Sequence, residues 1–275
     1  MLDTTAGRAI LSPEDVAAFL VRPVEAESLP GLVGTVIGMS GNSLRAPAIQ
    51  SDPAAQWVHE GAEIAASDAV FAEVSAPARK VAGLSIVSAE LAADSSPSAV
   101  EQIGNGLKRD LIRQLNKALV GALPSPAPVG LGSLTGVTTV AAGTGWTSAD
   151  VFVDAVAAAA SEGATIDSWI VSASDYVSLR KIRVSSGSNQ SLITPDAGGG
   201  ITVEGRPVHV SSDLAPGVVW GIPKDRLILG LREDAEIVAD SSAFFSSDRI
   251  GIRATLRAAL VYPHEAALIK IVTTP

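Results

Sequence analysis

Between Val70 and Ile86 apolar and polar residues alternate. Val70, Ala72, Val74, Ala76, Ala78, Ala82, Leu84 and Ile86 hold even positions, and Glu73, Ser75, Arg79 and Ser85 hold odd ones. Period two marks a strand with one buried face. An ordinary strand is about five or six residues long, and this alternation lasts well over twice that, with Pro77 inside it removing one ladder donor. The pattern predicts either a bend at that point or an arm of an extended hairpin whose apolar side needs another chain to cover it. Leu44 to Glu60 supplies the second arm, and the Gly-Ala-Glu-Ile-Ala-Ala-Ser-Asp run from Gly61 to Asp68 reads as the tip.

The period then changes. Ser98 and Glu101 have capping-box spacing, and Val100, Ile103, Leu107, Leu111, Leu115 and Leu119 recur at three and four residues until Gly121, Pro124, Pro126 and Pro128 end the run. At 1.5 Å per residue this helix is about 36 Å long. Before the hairpin, residues 1–44 hold one helix-start signal at Ser12-Pro13-Glu14-Asp15, followed by Pro23, Pro30, Gly31, Gly34, Gly38 and Gly41, and read as an extended arm with little core of its own. Leu29, Leu32, Val33, Val36 and Ile37 are too apolar for that arm to hang loose in water.

After a Pro-Gly-Ser-Thr connector over 122–147, Ser148 opens a helix with Val151, Phe152, Ala155, Val156 and Ala159 on one face and Gly163 at its end. Trp169-Ile170-Val171 reads as a buried strand, Ser174 to Ile182 as a short helix, and 185–200 as a loop. Short strands follow at 201–203, 208–210, 218–221, 227–231 and 235–238. Two more surround a Pro263-His264-Glu265 turn, closing a sheet against the long helix. The fold class is α+β.

Composition narrows the function. The 275 residues are 47% hydrophobic but only 4% aromatic, so burial comes from many small side chains. A net charge of −9 and a pI near 4.8 are the wrong sign for a surface that holds phosphates. Lys108, Arg109, Arg113 and Lys117 therefore read as a solvated helix face, not a nucleic-acid site. The absence of cysteine excludes disulfides and thiolate chemistry. The N-terminus lacks the pattern of a secretory signal and no apolar run is long enough to span a bilayer, which places the chain in a cytoplasm.

No catalytic, cofactor-binding or metal-ligating residue is expected. Gly38-Met39-Ser40-Gly41 has the wrong spacing for a nucleophile elbow, and the glycines from Gly130 to Gly136 follow prolines instead of a strand. His59, His209 and His264 are isolated in sequence, and Glu233, Asp234 and Glu236 read as a solvated turn.

The order of Trp57-Val58-His59-Glu60-Gly61, Ser67-Asp68, Phe71, Lys80-Val81-Ala82 and Ser88 to Ser95 resembles the major capsid proteins of tailed bacteriophages with the Hong Kong 97-type fold. Gly205-Arg206-Pro207-Val208, Phe244 to Asp248, Arg253, Arg257 and Tyr262-Pro263 resemble the same family's C-terminal pattern. The resemblance implies an N-terminal arm over 1–44 and an extended hairpin loop entering the peripheral domain over 45–91. It further implies a spine helix of that domain over 92–125, an axial domain over 126–242 and peripheral strands over 243–275.

It implies a structural subunit and not an enzyme, assembling with itself into pentamers, hexamers and a closed shell around double-stranded DNA without sequence-specific binding. Portal, scaffolding and cement proteins are the implied partners, with no membrane, and the virion, built in a host bacterial cytoplasm, is the implied location. Trp57, His59, Glu60 and Asp68 at the tip and Arg249, Arg253 and Arg257 near the C-terminus are the subunit-interface candidates. Relatives that weld neighbours covalently use a lysine near the tip, and Trp57 to Arg79 has none, so noncovalent contacts are expected. Relatives with a long cleaved scaffolding region reach the arm later than this chain does, so scaffolding is expected either to come from a separate protein or to be unnecessary. An encapsulin-type nanocompartment shell is the alternative within the fold, and a soluble α+β enzyme the alternative outside it.

Overall fold

The computed structural model describes residues 20–51, 56–59, 61, 70–90, 99–185, 188–193, 195, 199–232 and 235–274. Proline and serine set its first elements. Helices α1 (Arg22–Glu27) and α2 (Leu29–Val33) each carry Pro in the first turn, where a missing N–H costs nothing, and Ser28 Oγ caps α2 by accepting from Gly31 N at 3.3 Å. Leu20, Val24, Leu29 and Val33 are buried in the main core, and Leu29 N donates to Asn116 Oδ1 at 2.7 Å. This part of the expected arm thus folds back onto its own domain, because its apolar residues recur at helical spacing once Pro23 and Pro30 open two turns. Residues 1–19 lie outside the described residues.

Strand β1 (Thr35–Met39) leads to a hairpin of β2 (Ser43–Ser51) and β3 (Val70–Pro77), which continues into β4 (Arg79–Ser88). The long helix α3 (Ala99–Val120) has 22 residues, about 33 Å. Beyond it the chain adds β5 (Thr138–Ala141), α4 (Asp150–Ser161), β6 (Ser168–Ser172) and α5 (Ala173–Arg180). It then adds β7 (Thr202–Val203), β8 (Arg206–Ser211), β9 (Val218–Ile222), β10 (Ile228–Arg232), β11 (Glu236–Asp240), β12 (Arg249–Val261) and β13 (Ile269–Val272).

Two larger sheets organise these strands, and β2 and β3 pair as a separate two-stranded sheet. In the first, β12 is central: β10 and β11 pair antiparallel along one side, β4 along the other, and β1 lies parallel to β10. Helix α3 buries Leu111, Leu115 and Leu119 against it. The second sheet runs β5-β13-β9-β6-β8-β7. Its core packs Phe152, Ala155 and Ala159 of α4 on Trp169, with the Phe152 and Trp169 rings edge to face at 5.0 Å.

This arrangement departs from the sequence reading in where strands pair. β10 and β11 fall inside the expected axial stretch yet belong to the first sheet, and β13, expected with the closing peripheral strands, sits between β5 and β9 in the second. β5 itself lies in what reads as connector. Alternation along one strand says which face is buried, but not which strand lies beside it.

Candidate assembly interface

Among the described residues, the hairpin is anchored at its root. Met39, Leu44 and Ala46 pack on Ala259 and Val261 with Val74, Ala76 and Ala78 around them, forming a small separate core. β2 and β3 pair from Ser43 opposite Pro77 to Ser51 opposite Val70, with a bulge between Ile49 and Ser51. Farther out, Arg45 and Glu73 form an exposed ion pair at 3.3 Å, a geometry worth little to stability. Trp57 is 105% exposed, more than in an extended reference chain, and His59 is exposed beside it. A solvated indole is a large apolar surface, and the described residues leave this one uncovered. Glu60 and Asp68 lie outside the described residues.

The overlong alternation does not keep one buried face. In β3 the even positions Ala72, Val74 and Ala76 are the half-buried ones, whereas in β4 the inner positions are odd: Val81, Gly83, Ser85 and Val87. The phase changes across Ala78, which lies between the two strands and donates its N–H to Asn42 O at 2.8 Å. Gly83 fixes the new phase, because α3 packs so close there that a Cβ would come within 2.8 Å of Leu107 Cδ2. Leu84 and Ile86, which read as buried, are consequently 62% and 44% exposed on the side away from α3.

The three arginines share that outer side. Arg249, Arg253 and Arg257 stand opposite Ser88, Leu84 and Lys80 in the ladder, and residues at even separation on one strand point to one face. Glu236 of β11 pairs with Arg253 at 3.2 Å, and Lys80, Glu236, Arg253, Thr255 and Arg257 line a cleft of about 390 Å³. The outer face thus mixes two exposed aliphatic side chains with cations. The structure gathers the arginines there and leaves Trp57 and His59 exposed among the described residues. Leu84, Ile86 and Lys80 are the face's members that sequence reasoning missed; Gly83 between them was the available signal.

Nothing described resembles a catalytic centre. Among the described residues no group of three His, Asp or Glu could hold a metal, and no helix is long and apolar enough to cross a membrane. Burial holds the His209 imidazole below its ordinary value, and His264 faces Glu162 at 3.5 Å. The Tyr262 phenol is pushed up by burial and then by Glu265, and donates to Val129 O at 3.1 Å. The Asp175 carboxylate is consumed structurally, accepting from Trp146 Nε1 at 2.7 Å, Ser172 Oγ at 2.7 Å and Gly217 N at 2.9 Å.

Comparison with known proteins gives this geometry a context. A model of the phage capsid family matches residues 9–273. No curated protein sequence matches the chain. Among solved structures, the chain is similar to one from Microbacterium phage Oxtober96, at 17% identity, a TM-score of 0.71 and coverage of 90% of this chain and 91% of that one. A structure described as the capsid of the empty GTA particle computed with C5 symmetry gives 16% identity and a TM-score of 0.74 over 100% and 95% of the two chains. One from Mycobacterium phage Adephagia gives 15% identity and 0.71 over 90% of each. At these identities the structural likeness establishes the fold.

Proposed function

The chain belongs to the phage capsid family and is a structural subunit of a bacteriophage-type head, and on that premise we propose how it builds the shell. Copies associate into pentamers and hexamers that close around double-stranded DNA, in the cytoplasm of a host bacterium, with portal and separate scaffolding or cement proteins as partners and no enzymatic activity of its own. The family match over nearly the whole chain carries this reading. Residues 20–44, the hairpin, α3 and the strands around β12 form the peripheral part, and the second sheet forms the axial part.

The hairpin is the clasp between subunits. Heterologous contacts must close into a shell instead of running on as a filament, and an arm that crosses a subunit boundary spreads buried area over several neighbours. Trp57, His59, Glu60 and Asp68 of one copy meet the outer face of another, where Arg249, Arg253 and Arg257 stand beside Leu84 and Ile86. With no cysteine in the chain and no lysine between Trp57 and Arg79, packing and charge hold that contact.

Negative-stain microscopy and light scattering of the purified chain test the reading. Closed shells, capsomer rings or tubes are expected, and a monodisperse monomer under every condition overturns it. Shells recovered from cells with nuclease-protected double-stranded DNA identify a phage head; a protein cargo would identify a nanocompartment.

A further inference from the structure

Of the four cations that read as a solvated face of the long helix, three fall in a single row. Arg109, Arg113 and Lys117 are spaced by four residues along α3 and are all exposed, so they stand in one row pointing away from the core, about 6 Å apart along the axis. Lys108 departs from the row, being half-buried with a partner of its own. Among the described residues none of the three has an ion-pair partner. Like charges one helical turn apart repel, and among the described residues no ion pair offsets that repulsion. The nearby carboxylate, Asp110, lines the groove between α3 and β4 with Gln114 instead.

Two further features define the row. Exposed Gln102 and small Gly106 extend it toward the helix N-terminus, and the Arg109 guanidinium lies over Gly106, 3.9 Å from where a Cβ would sit. It is a low ridge of hydrogen-bond donors without an apolar side chain. A protein partner draws most of its binding energy from a few anchors, Trp, Tyr and Arg above all, and this row offers no aromatic or aliphatic side chain to pack beside its arginines; exposed apolar side chains such as Trp57, Leu84 and Ile86 stand elsewhere. A nucleic-acid backbone needs only Arg, Lys and amide donors.

We infer that the outward face of α3 contacts the phosphate backbone of enclosed double-stranded DNA through Arg109, Arg113 and Lys117, and therefore that this face lines the lumen of the shell. The inference rests on the proposed role as a DNA-enclosing shell and adds which side of the subunit is the inside. A net charge of −9 excludes a broad basic surface; a narrow row of three gives each copy a weak, sequence-independent hold.

The test compares the full-length chain with its R109Q/R113Q/K117Q and K117Q variants. Anisotropy of a short fluorescent DNA duplex is titrated with unassembled protein, and shell formation is followed in parallel. Three phosphate contacts predict that wild-type affinity falls about 40-fold between about 50 and about 200 mM NaCl, and two contacts, in K117Q, about 12-fold. The triple variant is expected to form wild-type shells and to lose nearly all salt-dependent binding. Unchanged affinity and salt slope in the variants, or no binding by wild type at low salt, overturns the inference. So does failure of the folded variants to form shells, since the row is then a subunit contact. Absence of shells from wild type would instead defeat the reading on which the inference rests.

Discussion

At the scale of single residues, Asp175 ties together the loops around the second sheet. Its buried carboxylate accepts from an indole, a hydroxyl and a backbone N–H, and Ser172 Oγ in return caps α5 by accepting from Asp175 N at 3.1 Å. Asp175→Ala strands these donors, and a loss of about 3 kcal/mol or more is expected in urea unfolding of the unassembled chain. Ser172→Ala, which removes the cap and one hydroxyl donor to the Asp175 carboxylate, is expected to cost about 1–2 kcal/mol. His209 predicts a pH dependence. Burial lowers its folded value below the ordinary 6.5, so the unfolded chain binds more protons in that window. Its contribution is complete above pH 6.5 and is lost as pH falls toward the folded value. Glu27 and Asp213 line the cavity His209 shares; removing the imidazole in His209→Gln should flatten the fall in urea midpoint between neutral and mildly acidic pH.

At the scale of elements, the hairpin and β4 separate folding from assembly. Leu84 and Ile86 project from the sheet away from α3, so replacing Leu84 by Asn should change the unfolding free energy of the free chain by no more than about 0.5 kcal/mol. If the proposed clasp holds, the same change is expected to reduce shell yield severely by light scattering, because it removes the aliphatic patch proposed to receive the neighbouring hairpin. Trp57 gives a direct optical readout. Trp169 and Trp220 are already buried, so a blue shift of tryptophan emission on assembly that disappears in Trp57→Phe would report burial of the tip; no shift would remove Trp57 from the contact. Glu60→Ala with Asp68→Ala should give shells that melt earlier than wild type at low salt, with the gap closing as salt screens the charges. Equal melting at low salt would exclude tip carboxylates from the clasp.

At the scale of the whole molecule, local pattern and tertiary structure divided the information unevenly. The 22-residue helix, the buried strand at Trp169 and the switch to short strands after Ile201 were all legible, because periodicity, caps and turn residues act within a few positions of themselves. The chain's membership of a capsid family was legible too, in the order of motifs from Trp57 to Tyr262. What lay hidden depends on residues distant in sequence. The root of the hairpin rests on Ala259 and Val261, the phase of β4 on Leu107 reaching into the space over Gly83, and the sheet membership of β10, β11 and β13 on ladders spanning much of the chain. The sequence by itself therefore determined that one alternating stretch is too long for an ordinary domain strand, since a two-residue period needs no partner to be seen. Only the tertiary structure decided that its buried side changes at Ala78, and so which apolar residues remain for a neighbour, because a strand's face is chosen by whatever helix packs against it.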